Sequence, residues 1–233
     1  MMRNLSKDQR KLYQQYSRLS EEMTSISELN QNMKYSHEYV WRLISSQGIW
    51  VLPMPKCYGG YGLGWQDCIA AFDGFFSNYP DINFLTLFIS QVSALYVILQ
   101  YGTEDIKQRY LPRLMQGEIA YLHISKYIHN LLHHEYQQKI NKNQSLHVTN
   151  NKIFIYVDKL DEDVIFYICE KKTVLESKAV NEPINSTLLE ENKFTAKETG
   201  IFALFDLINF ERIFYGIFLS SYACKIKNRI IFS

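Results

Sequence analysis

The chain has few of the features that announce a function at once. Its four cysteines, Cys57, Cys68, Cys169 and Cys224, show no CxxC or other metal-ligand spacing. They read as reduced thiols of a cytosolic protein. A net charge of +1 gives no bulk field toward nucleic acid or acidic membranes, so neither is expected as a partner. The first twenty residues hold no apolar core of a signal peptide, and the sequons at Asn143 and Asn185 are then chance matches. The location expected is cytoplasmic. There is no internal repeat and no Ser-His-Asp order. One long apolar run, 84–101, contains Thr86, Ser90, Gln91 and Ser93, which favours a buried bundle helix over a membrane span. What the chain does have is aromatic side chains, 17 Tyr and 14 Phe in 233 residues, enough for an ordered core in one or two domains.

The first part reads as helical. Residues 5–23 form a charged amphipathic helix with Leu12, Tyr16 and Leu19 on one face. Residues 20–34 are polar, and a break is expected there. Ser36 can cap a helix through Ser46, with Val40, Leu43 and Ile44 inward and Gly48 at its end. The stretch 53–64 holds four glycines and two prolines, which exclude a regular element. It lacks the Lys-Ser/Thr ending of a phosphate loop. Helices follow at 65–77 and 82–101, the second apolar nearly all round and so central to a bundle of about five or six helices.

Residues 101–125 are the hinge of the chain. Gly102 closes one helix and Thr103 caps the next, with Glu104 and Asp105 at its positive end. Leu111, Leu114 and Met115 recur at helical spacing, Gly117 stops the helix, and 120–124 reads as a strand. Beyond it Asn150-Asn151 suits a hairpin turn, and 164–169 is a further buried strand. Residues 171–197 are polar and weakly patterned. A last helix runs from 200 to 230.

Several motifs in order resemble the acyl-CoA dehydrogenase family. Residues 102–118 fit G-T-E-x-x-K-x-x-Y-L-P-x-L-x-x-G-E, and Gly48, Leu52, Pro55, Tyr58, Gly59, Gly60 and Gly62 fit the family's preceding glycine loop. Residues 146–155 are similar to the family's V-L-N-G-x-K-x-W-I-T strand pair, and 200–212 to the segment that leads into its C-terminal bundle. The resemblance implies an α+β fold: an N-terminal helix bundle (1–120), a small, reduced β-barrel-like domain (121–199) and a C-terminal helix (200–233) that is the first of a shortened bundle.

The same resemblance implies FAD as cofactor and an acyl thioester, on coenzyme A or a carrier protein, as substrate. Leu122 and Ile124 fall on strand positions that approach the flavin, and Ser125 stands for its threonine contact. Phe154 replaces the usual aromatic, and Tyr156 the Thr or Ser that hydrogen-bonds the flavin. Glu211 falls where some members carry the base that removes the α-proton, and Arg212 where the thioester is placed. The family's P-x-A-G-S-D run is replaced by residues 126–132, KYIHNLL, which offer no glycine turn to a phosphate. The resemblance therefore also admits a non-catalytic scaffold or interaction subunit. In it, Ile213, Phe214, Ile217, Phe218 and Leu219 give the last helix an apolar surface for a homo- or hetero-oligomer.

Two further clusters have bland readings. Five of the six histidines lie between 123 and 147; His129 and His133 have an i, i+4 spacing that could share a metal, but a polar surface turn is the expected role and no metal is assigned. Lys171-Lys172 and the basic residues of 225–229 could meet a phosphorylated ligand; a solvated face is expected.

Overall fold

The computed structural model describes residues 5–29, 37–124, 152–160, 163–170, 193–196 and 201–231. Along the chain these form α1 (Lys7–Leu29), α2 (His37–Ser46), α3 (Trp65–Asn78), α4 (Ile82–Tyr101), α5 (Glu104–Met115), β1 (Ile119–Ile124), β2 (Lys152–Leu160), β3 (Asp163–Glu170), β4 (Lys193–Thr195) and α6 (Ile201–Ile231). They divide into two compact units. The first comprises Met1–Ile89, Met115–Gly117 and Asn209–Ser233, the second Ser90–Leu114 and Glu118–Ile208. The class is α+β, as expected.

In the first unit α1 opens on a reciprocal cap. Ser6 Oγ accepts the Gln9 amide at 3.2 Å and Gln9 Oε1 accepts the Ser6 amide at 3.0 Å, which satisfies orphan donors of the first turn. α1 runs past the expected end at Met23 to Leu29, and the remainder of the 20–34 stretch in which a break was expected lies outside the described residues. Ser20 and Thr24 turn their hydroxyls onto the helix's own carbonyls, Ser17 O and Ser20 O, at 3.0 and 3.1 Å, so their polarity is absorbed without ending the helix. Tyr16, Ser20 and Met23 are the buried residues of α1. The core of this unit is aromatic: Trp50 meets Trp41 at 4.7 Å and Phe88 at 4.8 Å, and Phe72 and Phe76 meet Phe88 at 5.0 and 5.1 Å. Such tilted and edge contacts each add to plain area burial.

The 53–64 loop holds one short 3-10 turn, Lys56–Tyr58, and is otherwise irregular. Gly60 is required there, because a Cβ would lie 2.0 Å from Met54 O. Gly117 is required for two reasons. Its φ is +93°, and a Cβ would meet Ser45 Oγ at 2.5 Å. Its carbonyl accepts the Trp41 indole N–H at 2.7 Å.

Asp81 starts α4. One carboxylate oxygen accepts the amides of Asn83 and Phe84 at 2.9 and 3.0 Å, and the other pairs with His37 Nε2 at 3.0 Å. Among the described residues α4 is the one helix long and apolar enough to cross a membrane, and 67% of that stretch is buried inside the protein. Most of its apolar residues are packed, Phe84, Leu85, Leu87, Phe88, Val92, Leu95 and Ile98 all being buried, while Ile82, Asn83, Thr86 and Gln100 are exposed.

In the second unit the strands lie in the order β1-β2-β3-β4. β1 is parallel to β2, and the other pairs are antiparallel. The described strands make an open mixed sheet rather than the barrel-like closure expected, since β1 and β4 are its edges and do not pair. β4 falls in the polar 171–197 stretch where no strand was expected; Phe194, buried against Phe166 with ring centroids 5.0 Å apart, anchors it. The expected hairpin turn at Asn150-Asn151 lies outside the described residues.

Gln91 joins α4 to this sheet. Its Nε2 donates to Leu114 O at 3.1 Å and Glu118 O at 2.9 Å, and its Oε1 accepts the Ala120 amide at 2.7 Å. Ser90 Oγ accepts the Leu122 amide at 2.7 Å. Arg113 adds an outer clamp. It forks onto Glu118 at 2.7 and 2.8 Å and reaches Glu170 at 2.6 Å.

Two outcomes are expected from these contacts. Gln91→Leu leaves two buried carbonyls and one amide without their partner, and at about 1–3 kcal/mol per orphaned group it lowers stability by about 3 kcal/mol or more. Urea unfolding measures this as a lower midpoint at unchanged slope; a loss under about 1 kcal/mol would mean that water replaces the amide. The second outcome concerns Asp81. Burial raises its pKa, but the Phe84 amide, the His37 ring and the Asn83 amide outweigh that and hold it below the ordinary value. A depressed carboxylate stabilises above its unfolded pKa, and the benefit is lost as pH falls through the folded value. Asp81→Ala therefore costs about 1 kcal/mol at neutral pH, and the gap to wild type narrows below about pH 4. A gap constant with pH would count against this.

Candidate functional site

The strand register sorts the residues of the sheet onto two faces. Tyr121 pairs with Phe154 and His123 with Tyr156, while Leu122 pairs with Ile155 and Ile124 with Val157. Across the next pair Phe154 faces Cys169 and Tyr156 faces Tyr167. Because alternate residues point to opposite sides, one face carries Ile153, Ile155, Val157, Phe166 and Ile168, all buried. The other carries Tyr121, His123, Phe154, Tyr156, Tyr167 and Cys169. On that face Tyr121 stacks on Phe154 at 5.5 Å, Phe154 on Tyr156 at 6.4 Å, and His123 meets Tyr156 edge-on at 5.6 Å.

This aromatic face is half-buried, with His123 exposed and Cys169 buried. Burial raises the Tyr121 phenol, and burial together with the nearby Cys169 raises that of Tyr156. Burial pushes the Cys169 thiol up to about 11, so it is a protonated packing group at neutral pH. His123, at the exposed end of β1, is the one residue of the histidine-rich stretch among those described. His129, His133, His134 and His147 lie outside them, as do both short basic clusters' side chains. Among the described residues no group of three or more His, Cys, Asp or Glu could hold a metal.

The structure thus brings together two of the expected flavin contacts and separates them from two others. Phe154 and Tyr156 share the aromatic face. Leu122 and Ile124 occupy register positions of the opposite face, and the Leu122 amide is already taken by Ser90. Ser125 lies outside the described residues. A flat ring lying against one side of the sheet meets the side chains of one set only. The four described flavin positions of the sequence pattern are thus divided between the two faces of the sheet. Tyr121, His123 and Cys169 were missed as members of this face. The alternation of aromatic residues at 121, 123, 154 and 156 was visible, but the parallel pairing that aligns them was not.

The catalytic and substrate residues of the sequence reading lie on α6, in the first unit. Phe214 and Phe218 are buried there. Phe214 packs on Phe72 at 5.6 Å and Phe218 on Phe76 at 5.5 Å, while Phe210 meets Trp65 at 4.8 Å. The expected apolar surface is corrected accordingly: Phe214 and Phe218 are core, and only Ile213 and Leu219, 51% and 58% exposed, remain outside with half-buried Ile217 between them. The 3.6-residue helical repeat separates the two sets. Glu211 is half-buried and Arg212 exposed. One turn on from Glu211 stands half-buried Tyr215; burial and the Glu211 carboxylate raise its phenol above the ordinary value.

A helical first part, a small mixed sheet and a returning long helix are the architecture of the acyl-CoA dehydrogenase fold. The FAD complex of PigA is similar over 74% of this chain and 50% of that one, with a TM-score of 0.52 and 17% identity. AnaB, a prolyl acyl carrier protein oxidase, is similar over 93% and 65%, at 0.60 and 18%. Glutaryl-coenzyme A dehydrogenase, in its glutaryl-CoA complex, is similar over 94% and 64%, at 0.62 and 16%. The chain spans between half and two thirds of the length of these structures. No curated protein matches its sequence. Residues 6–118 match the family model for the acyl-CoA dehydrogenase N-terminal domain, so the first half of the chain carries that domain.

The burial of Cys169 behind the aromatic face has a direct chemical readout. In the native protein at pH 8, iodoacetamide should modify exposed Cys57 and spare buried Cys68, whose thiol burial pushes up to about 12, and Cys169. Peptide mass mapping measures each site; Cys169 reacting as fast as Cys57 would show the face to be open.

Proposed function

We propose that this chain is a dehydrogenase-fold subunit that engages an acyl thioester, carried on coenzyme A or a carrier protein, and contributes the base for its α,β-dehydrogenation within an assembly containing another chain. The observation that carries the reading is the Glu211-Arg212 pair on α6. Glu211 is half-buried, one turn from Tyr215, and Arg212 stands exposed one residue on. A carboxylate in partly apolar surroundings suits removal of the α-proton, and the guanidinium suits the polar carrier end of the substrate. Residues 1–120, 121–199 and 200–233 are the working division into helical, sheet and terminal parts, and a cytoplasmic location fits the reduced thiols. FAD is the family's hydride acceptor. Since Leu122 and Ile124 diverge from Phe154 and Tyr156, this reading gives the flavin to the assembled complex and not to the chain alone.

One observation favours a second reading, a non-catalytic scaffold or interaction subunit with the same fold. It is that same division of the expected flavin contacts between two faces, together with the exposed Ile213 and Leu219 of α6 as a surface for another copy or a longer partner.

Visible absorption separates the two. The chain alone, mixed with FAD and desalted, should stay colourless. With the chain that co-purifies with it, acyl-CoA or an acyl carrier thioester should reduce a dye, and Glu211→Gln should lower turnover by about 10²–10⁴-fold while leaving thioester binding in place. No dye reduction by any acyl thioester in the complex would leave the scaffold reading.

A further inference from the structure

We propose that the outward face of α6 pairs with the same face of a second copy of this chain, antiparallel about a two-fold axis at Asn209. The inference rests on the scaffold reading, from which it takes the exposed surface of α6 and to which it gives a partner. A helix with large apolar side chains on both sides is ordinarily packed on both. α6 is packed on one, where Ala203, Leu204, Leu207, Phe214 and Phe218 are buried. With about 100° between successive residues, Phe202, Phe205, Asp206, Asn209, Arg212, Ile213 and Gly216 fall on the other side, all within about 60° of Asn209. All seven are exposed. Phe202, at 69%, is the most exposed large apolar side chain among the described residues.

The order of residues along this face is self-complementary. In an antiparallel pair, each position before the axis lies level with the position equally far beyond it on the other copy. Three residues either side of Asn209 stand Asp206 and Arg212, opposite charges that meet twice across the axis. Four residues away stand Phe205 and Ile213, and seven away Phe202 and Gly216. The last pair is a knob and its hole. A Cβ on Gly216 would meet nothing within 4 Å, so no contact inside this chain calls for glycine there, and glycine within a helix is disfavoured against alanine. A phenylalanine from the second copy supplies the reason. Asn209 meets its own counterpart on the axis, the kind of single polar pair that fixes register between paired helices. The contact is isologous, so it closes at two copies. A parallel pair would instead set Asp206 against Asp206 and Arg212 against Arg212.

Sedimentation velocity of the full chain reads the pairing. One helix pair lies at the small end of stable interfaces, so half-association is expected on the order of 10 µM. Asp206→Arg and Arg212→Asp should each weaken it by about tenfold or more. A mixture of these two variants, which restores both charge pairs, should associate as tightly as the unaltered chain. Gly216→Leu should keep the fold, since its Cβ enters open space, and abolish the dimer. Nitroxide labels at exposed Ala223, with Cys57 and Cys224 replaced by serine, report orientation. They should stand about 40 Å apart, against about 10 Å in a parallel pair. A chain monomeric to about twentyfold above the expected midpoint, variants that associate unchanged, labels about 10 Å apart, or association only with a different protein would each overturn the pairing. The scaffold reading is decided separately. Dye reduction by a thioester in the complex sinks it whatever the oligomeric state, and a monomer leaves it standing.

Discussion

A single buried amide holds the α-to-β passage together. Gln91 lies in an otherwise apolar helix and is 0% exposed, a costly place for a polar group without partners. Its cost is offset because both ends are used, two donors on the carbonyls of Leu114 and Glu118 and the acceptor on the Ala120 amide. These are the groups that the end of α5, the turn after it and the start of β1 would otherwise bury unpaired. Ser90 takes the next outward amide of β1, that of Leu122. Two adjacent side chains of α4 therefore close the edge of the sheet, where an open strand would invite pairing with another chain. Trp41 does the same for the Gly117 carbonyl from α2.

Once β1 is held this way, the parallel pairing with β2 settles the chemistry of the sheet. A shift of one residue would exchange the faces, so the register that pairs Ala120 with Ile153 and Leu122 with Ile155 also pairs Tyr121 with Phe154 and His123 with Tyr156. The aliphatic face becomes core. The opposite face becomes a run of contacting rings with a raised thiol behind them. A family pattern in a line of sequence treats Leu122, Ile124, Phe154 and Tyr156 as one set; pleating divides them. On α6 the same principle operates with the helical period. Phe214 and Phe218 go inward, and Ile213 and Leu219 outward.

Much of the helical framework was legible. The helix over 82–101, the cap at Thr103 and the strand after Gly117 follow from spacing, from the positive φ open to glycine at Gly117 and from short side chains that bond the backbone. Gly102 does follow the end of α4, but not through the expected left-handed conformation: its φ is not positive, and a Cβ there would lie 2.5 Å from Ile98 O. The run of α1 past Met23 to Leu29 was not legible, because serine and threonine either end a helix or bond back into it, and packing decides which. β4 was missed because a three-residue strand carries almost no pattern of its own; Phe194 needs Phe166 beside it. In the candidate site Glu211 and Arg212 were found by motif, whereas the aromatic face of Tyr121, His123, Phe154 and Tyr156 was not, since it depends on the parallel pairing of β1 with β2.

The sequence by itself determined where most of the helices lie and which stretches interrupt them. These rest on interactions within a few residues, whose geometry the chain carries locally. Only the tertiary structure decided which polar groups of α4 seal the sheet, which face each strand residue takes and which side of α6 is left to solvent. Those choices depend on hydrogen bonds and packing between segments far apart in the chain. Gln91 stands out in an apolar run of sequence, but what it seals is settled only when Leu114, Glu118 and Ala120 lie beside it.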